Sequence, residues 1–348
     1  MKILLSGYHN PHYWTVTEYI ERAIRALGHG LHAFDDGTRL IPGRLRSRSR
    51  WMERADRARL NRRLRACAGR LRPDVLIVLG GELVDPETVR QAKAVGACAV
   101  LWTIDAPWNF APVLRAAPFY DHVFCQGTEA VEILSNAGME GTRWLPMACD
   151  PRLHRPGEPS DEERRLLGHD IVFVGSWYPV RESLFEALAG LDLAIWGPGW
   201  DRLRSDSPLR GCVRAAHTTP ETWRRIYAAA KIVLSVHFQD PLGEIPCHQA
   251  SPRVFEAMAC GAFVICDAQR DVLDLFEDGV HLAVAHDACE LKEKTLYYLE
   301  HESERAEIAR RAREEVLRRH TYRKRLETLF DVAGGASRAI AGRRVAGP

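Results

Sequence analysis

The sequence predicts an open, parallel α/β protein built twice over, with two doubly wound domains joined by a linker. Three observations carry this reading. Short apolar runs such as VLIVLGG (75–81) and the start of IVFVGSW (171–177) read as strands buried on both faces. They alternate with helical segments, the rhythm of βαβ units. That rhythm restarts after a charged, proline-containing stretch, RLHRPGEPSDEERRLLGHD (152–170), and 348 residues exceed what one average core holds.

Taken in order, Ile3, Leu4 and Leu5 open a strand and SGYHNPHYW (6–14) forms a polar loop. A helix over 15–27 ends at Gly28 and Gly30, and a strand over 31–34 stops at Asp35-Asp36-Gly37. An arginine-rich stretch leads to VLIVLGG, then the helix PETVRQAKAVG (86–96) and the strand ACAVLWTID (97–105). HVFCQG (122–127), the helix EAVEILSNAG (129–138) and the strand-like TRWLPMA (142–148) complete the first half. The second half runs through IVFVGSW, the helix RESLFEALAG (181–190), LAIWGPGW (193–200), the helix ETWRRIYAAA (221–230) and KIVLSVHF (231–238). FVICD (263–267) and HLAVAHD (281–287) supply its last strands, and long charged helices follow. The expected domains are 1–152 and 165–333, with 334–348 as a flexible tail. In open α/β sheets ligands bind at the carboxyl ends of the strands, so two such domains predict a cleft between those ends.

Composition narrows the function. Apolar content of 46% and charged content of 27% describe an ordinary globular protein, and a net charge of +2 gives no support to a nucleic-acid partner. Nine cysteines form no Cys-x-x-Cys pair, and several sit inside strand-like runs as small hydrophobes. No run reaches the roughly 20 apolar residues of a membrane span. A reduced, cytoplasmic protein is the expectation. No metal-ligand spacing and no Asp-x-Asp motif is visible, so neither a metal nor a cofactor is expected.

The segment SPRVFEAMACGAFVICD (251–267) carries the most chemistry. Pro252 suits the first turn of a helix and Gly261 its end. Between them an otherwise apolar helix begins with Arg253 and Glu256. An acid near a helix N-terminus complements the macrodipole, and the pair reads as simple capping on that ground. The same helix start also suits a ligand bearing phosphates and hydroxyls.

This segment resembles the nucleotide-sugar-binding domain of GT-B glycosyltransferases, most closely the CgeB-like, spore-maturation-protein-like group. FVGSWYPVRESLFEAL (173–188), LAIWGPGW, AAHTTPETWRRIYAAAKIVLSVH (215–237) and the charged ending DACELKEKTLYYLEHESERAEIARRAREEVLRRHTYRKRL (287–326) carry the same resemblance. The first half is similar more loosely, through its opening strand and loop, WTIDAPW (102–108) and LPMACDP (145–151).

The resemblance implies a GT-B fold and a hexosyltransferase-type activity (EC 2.4). A nucleoside-diphosphate sugar such as a UDP-sugar would be the donor and a carbohydrate, protein or small molecule the hydroxyl acceptor. It implies that Glu256 holds the ribose hydroxyls, as a carboxylate can by accepting from two of them. Ser251, Arg253, Val254 and Phe255 at the same helix start would then hold the diphosphate. Gly175 and Ser176 follow a buried strand, where a glycine admits close backbone approach, and Arg181 can neutralise phosphate. Arg181 also reads as a solvated helix residue. Gly197, Trp200 and His217 lie on loops that the resemblance sets around the base, and Trp200 also reads as a packing residue. His237, ending a strand, reads as a structural histidine or a phosphate contact. Many retaining GT-B enzymes carry a second glutamate eight positions before the one matched by Glu256; here that position is His248. Retention of anomeric configuration, without a metal, is the implied outcome.

On the acceptor side, Asp105 at the end of WTIDAPW's strand is the candidate base, where related enzymes often have a histidine just before it and this chain has Ile104. His9, with His12, is the alternative; a strand-end aspartate is also a common turn residue. The basic stretch 39–72 places Trp51, Ala55, Leu60, Leu64, Cys67 and Leu71 near one helical face, suited to an anionic membrane surface, an anionic acceptor or ordinary packing with a solvated arginine face. Two rival readings stay open: a GT-B-shaped sugar-nucleotide epimerase or hydrolase, and a non-catalytic envelope or spore-coat protein.

Overall fold

The computed structural model describes residues 1–38, 49–104, 110–240 and 242–345, with side chains through Gly334. The chain divides into two compact units, Met1–Pro146 with Tyr322–Pro348, and Met147–Thr321.

In the first unit six parallel strands are ordered β2-β1-β3-β4-β5-β6. They are β1 (Lys2–Gly7), β2 (Gly30–Asp35), β3 (Val75–Leu79), β4 (Cys98–Thr103), β5 (His122–Cys125) and β6 (Arg143–Trp144). The order reverses between β1 and β3. Residues 3–5, 75–78 and 99–102 are fully buried, as their unbroken apolar runs require. Helix α1 (Val16–Ala26) starts at a capping box, with Thr15 accepting from the backbone and Glu18 reaching back to the Thr15 amide.

Helix α2 (Arg50–Leu71) turns most of its predicted apolar face inward: Leu60, Leu64 and Cys67 are buried, with Ala68, and Leu71 packs against the same core. Trp51, near the start of the helix, is the exception at 74% exposed. Polar contacts reinforce this orientation. Asn61 Oδ1 accepts the Asp85 amide at 2.7 Å and Asn61 Nδ2 donates to the Leu83 carbonyl at 2.9 Å, which fixes the helix rotation. Residues 39–48 of the basic stretch lie outside the described residues.

Helix α3 (Pro86–Ala94), α4 (Ala111–Ala116) and α5 (Thr128–Asn136) complete the crossovers of the first unit. The last helix of the chain, Tyr322–Val345, also packs here. Leu326 and Leu329 are fully buried, Phe330 meets His29 edge-on at 4.8 Å, and Arg325 donates to the Pro146 carbonyl at 2.8 Å. The sequence assigns this segment to the second domain through residue 333 and ends regular structure at Gly334. The helix instead runs past Gly334 with its apolar face on the first unit.

The second unit has strands β7 (Ile171–Val174), β8 (Leu193–Trp196), β9 (Val213–Ala215), β10 (Ile232–Ser235), β11 (Val264–Asp267) and β12 (Ala283–Ala285). Their order is β12-β11-β10-β7-β8-β9, all parallel, so the topological switch point falls between β7 and β10. Part of the expected linker is helical: α6 (Asp161–Leu167) begins at a capping box formed by Ser160 and Glu163. Helix α7 (Pro179–Phe185) follows β7, α8 (Pro220–Ala229) precedes β10, α9 (Pro252–Ala259) precedes β11 and α10 (Arg270–Leu275) follows it. Helices α11 (Ala288–Glu300) and α12 (Glu302–Arg319) close the unit. Among the described residues no helix is long and apolar enough to cross a membrane.

Candidate functional site

The residues singled out in the second half gather at the carboxyl ends of β7, β8, β10 and β11. Two glycines make that possible. Gly197, after β8, has φ +138°, and a Cβ there would lie 2.1 Å from the Gly175 carbonyl oxygen. A Cβ on Gly175, after β7, would lie 2.3 Å from Nη2 of Arg253. The pair lets two loops and a guanidinium share a space that any side chain would fill.

Two arginines occupy the switch point. Arg253, at the start of α9, donates from Nε to the Val174 carbonyl that ends β7. Arg181, in α7, donates from Nε to the Val236 carbonyl beyond β10 at 2.8 Å and from Nη1 to the Ser176 carbonyl at 2.6 Å. Both lie over the Phe173 ring, at 4.8 and 5.0 Å from its centroid. Arg181 is therefore a buried strut between the two strands, not a solvated helix residue. Burial, then the neighbouring Arg253, pushes Arg181 down to about 9, which leaves it charged at neutral pH. Two cations held this close concentrate positive potential at the strand ends. Nη1 of Arg253 is buried with no hydrogen-bond partner among the described residues.

Glu256 lies three residues on in α9, its side chain 15% exposed. Burial pushes its carboxyl up to about 7 against the opposing pull of Arg253. It faces a residue that the sequence reading passed over. Nδ1 of His154 accepts the Asp150 amide at 3.0 Å, so the proton of the neutral ring sits on Nε2, which lies 3.9 Å from Glu256 Oε1. The only sequence signal for His154 is its place shortly after LPMACDP, inside a stretch that reads as linker.

His237 is 2% exposed and paired with Asp267, the last residue of β11. Both its ring Nδ1, at 2.5 Å, and its amide, at 3.0 Å, meet the same Asp267 oxygen. Burial works to raise the Asp267 carboxyl, and the charge and hydrogen bonds of His237 outweigh it, holding the acid below its ordinary value.

The other expected donor-side residues take these places. Trp200 is 3% exposed, stacks on Phe185 and donates its indole N–H to the Gly175 carbonyl at 2.9 Å; it supports the loop from the core. Val254 and Phe255 are fully buried, Phe255 against Phe276 and His320, so their side chains serve packing. The α9 amides are partly spent on the cap: Ser251 Oγ accepts from the Arg253 amide at 3.3 Å and the Ser251 carbonyl from the Val254 amide at 3.1 Å. His217 is exposed on the loop after β9.

In the first unit, His9 follows β1, with Nε2 2.6 Å from Glu21 Oε1 and Nδ1 3.1 Å from the Gly7 carbonyl. Burial alone would lower its pKa, but the hydrogen bond and charge of Glu21 outweigh burial and raise it. With both ring nitrogens engaged, His9 anchors its loop and is poorly placed to accept a proton. His12 is exposed. Asp105 lies outside the described residues. Among the described residues no group of three or more His, Cys, Asp or Glu is arranged to hold a metal ion.

Two parallel-sheet α/β units of this kind define the GT-B glycosyltransferase fold, and comparison with solved structures agrees over nearly the whole chain. HepE of Anabaena, solved with UDP and glucose, superposes with a TM-score of 0.66 at 16% identity, covering 96% of this chain and 100% of that one. Sucrose-phosphate synthase of Thermosynechococcus elongatus gives 0.69 at 14% identity, over 96% and 99% of the two chains. AviGT4, a glycosyltransferase involved in avilamycin A biosynthesis, gives 0.68 at 16% identity, over 97% and 98%. Residues 181–331 match the family model described as glycosyl transferase-like, a span that runs from Arg181 through Arg253, Glu256 and Asp267. A sequence comparison with curated proteins gives no match.

Proposed function

We propose that the chain is a glycosyltransferase of the CgeB-like group that moves a sugar from a nucleoside-diphosphate donor to a hydroxyl acceptor. The observation that carries this is the pair of guanidiniums, Arg181 and Arg253, fixed on the strand-end carbonyls on either side of the switch point, with Glu256 one turn along the same helix. Switch points of open α/β sheets are where nucleotides bind. Arg253 takes the diphosphate and Arg181 adds charge from behind. Glu256, as a carboxylate, accepts the ribose hydroxyls. The UDP complex of the structurally similar HepE supports uracil as the base.

Departure of the nucleoside diphosphate builds negative charge on its terminal phosphate, and fixed cations stabilise that charge without reorganising. The arginines supply what a bridging metal would, so the reading is metal-independent. His9 is the anchor of the loop after β1, which leaves Asp105 as the acceptor-side acid in the proposal. Retention of configuration follows from the resemblance, with His248 where many retaining enzymes carry a glutamate. A cytoplasmic location is part of the proposal, in keeping with nine cysteines that form no Cys-x-x-Cys pair. Exposed arginines of α2 are the proposed contact for anionic lipid or acceptor.

Thermal-shift screening with UDP-, GDP-, dTDP- and CDP-sugars tests the donor site, because a ligand of the folded state alone raises stability. A shift with one nucleotide series is expected; none with any of them would return the chain to a non-catalytic role. Stoichiometric donor conversion without acceptor would replace transfer by epimerisation or hydrolysis. Anomeric NMR of the product reads the stereochemistry.

A further inference from the structure

Beyond the two arginines and Glu256, the second unit holds a polar cluster with no assigned role. Ser235 ends β10, His237 lies two residues further on, and Asp267 ends the neighbouring β11. All three are more than nine-tenths buried. Ser235 Oγ, His237 Nε2 and Asp267 Oδ2 have no hydrogen-bond partner among the described residues. Buried polar atoms are almost always satisfied, so three such atoms at the ends of two adjacent strands call for a ligand or ordered solvent.

Their chemistry selects the ligand. The Asp267 carboxyl is held below its ordinary value, so it is ionised at neutral pH and only accepts hydrogen bonds. The proton in the 2.5 Å contact therefore belongs to Nδ1 of His237. With Nδ1 committed to Asp267, Nε2 is the polar atom the ring leaves open. The free Asp267 oxygen repels phosphate oxygens and accepts from hydroxyls, and a hydroxyl, which both donates and accepts, suits the imidazole nitrogen as well. The cluster also adjoins the phosphate site, since Arg181 is bonded to the carbonyl of Val236, the residue directly before His237.

Resting on the donor-site reading above, we propose that His237 and Asp267 form the sugar-recognising element. His237 Nε2 and Asp267 Oδ2 hydrogen-bond hydroxyls of the transferred sugar, and the Nδ1 contact to Asp267 also fixes the orientation of the imidazole. His237 is then a contact to the sugar and not to phosphate.

Calorimetric titration of the full chain with UDP and with UDP-glucose, and with the GDP and GDP-mannose pair, tests this by separating the sugar from the nucleotide. His237→Asn keeps an N–H near Nδ1 for Asp267 and removes the outer ring nitrogen. Asp267→Asn keeps an oxygen for the His237 amide and removes the charge. Both variants are expected to hold nucleoside-diphosphate affinity within about twofold while weakening the nucleotide sugar roughly tenfold or more, the effect of losing a buried hydrogen bond to a charged group. His237→Gln, which returns a polar group near Nε2, is expected to recover part of the loss. Equal weakening of diphosphate and nucleotide sugar, or no weakening of either, would overturn the sugar assignment and leave the donor site standing. A wild-type chain that binds neither pair, nor any nucleotide of the four-series screen above, would instead overturn the donor site itself, and this inference with it.

Discussion

At the end of β1 in the first unit, acids prevail and are consumed within the protein. Asp36 accepts from Ser6 at 3.1 Å, Asp35 from the Gly37 amide at 2.8 Å, and Glu21 meets both His9 and Arg25. At the ends of β7, β10 and β11 in the second unit, Arg253 Nη1, Ser235 Oγ, His237 Nε2 and Asp267 Oδ2 are buried without a partner among the described residues. The two sheets share parallel topology and buried apolar strands, so the contrast owes nothing to architecture. A strand end whose polar groups satisfy one another is finished as protein; one that leaves buried charge and acceptors open is finished only by a ligand.

The largest effect on stability should come from Gly197→Ala. Its Cβ would strike the Gly175 backbone, which cannot turn aside as a side chain would, and a loss of about 3 kcal/mol is expected from strained backbone and displaced loop. Gly28 in the first unit also has positive φ, at +78°, but open space around it, so Gly28→Ala should cost only about 1 kcal/mol. Urea unfolding of the two variants compares the regions directly, and equal losses would remove the packing argument for the Gly175–Gly197 pair.

Next in size is Glu256. Glu256→Ala should weaken nucleotide binding roughly tenfold through the lost ribose contacts, with the fold retained. Its pH dependence has a defined sign. The folded carboxyl sits at about 7, above the ordinary 4.5, so the folded state holds the proton more tightly. The stability this contributes is fully present below pH 4.5 and is lost as pH rises towards and through about 7. Glu256→Gln should flatten that slope in unfolding experiments at pH 5 and pH 8; an unchanged slope would mean that other groups set it.

The smallest effect on nucleotide binding is expected at His9. His9→Ala should leave that affinity within about twofold, because its partners Glu21 and Gly7 are internal to the first unit. Its raised pKa gives stability that is present below the ordinary 6.5 and fades as pH rises through the folded value, so the variant should lose most at low pH.

The order of strands and helices was legible because parallel strands buried on both faces leave unbroken apolar runs, as VLIVLGG and IVFVGSW do. Arg253 and Glu256 were legible because a polar pair in an apolar helix start is conspicuous in one dimension. His154 and Asp267 were not. Each acts through a partner far along the chain, Glu256 and His237, and no local pattern distinguishes either from a linker histidine or a strand-end turn residue. Trp200 stayed open between two readings for the converse reason: its neighbours Gly197 and Gly199 suggest a ligand loop, while Phe173 and Phe185, which pack against it, lie on other elements. The inward face of α2 was legible through Leu60, Leu64 and Cys67, whereas the exposure of Trp51 and the polar tie of Asn61 to Asp85 and Leu83 were not.

Arg253 carries an open positive charge for a nucleoside diphosphate in this reading. Calorimetric titration of UDP into the wild-type chain and into Arg253→Met, which removes the guanidinium over Phe173 and keeps an unbranched apolar side chain, tests that charge. One site per chain in the wild type and a loss of at least about a hundredfold in the variant, with unfolding unchanged to within about 1 kcal/mol, is the predicted result. Equal affinities in the two proteins would contradict the claim.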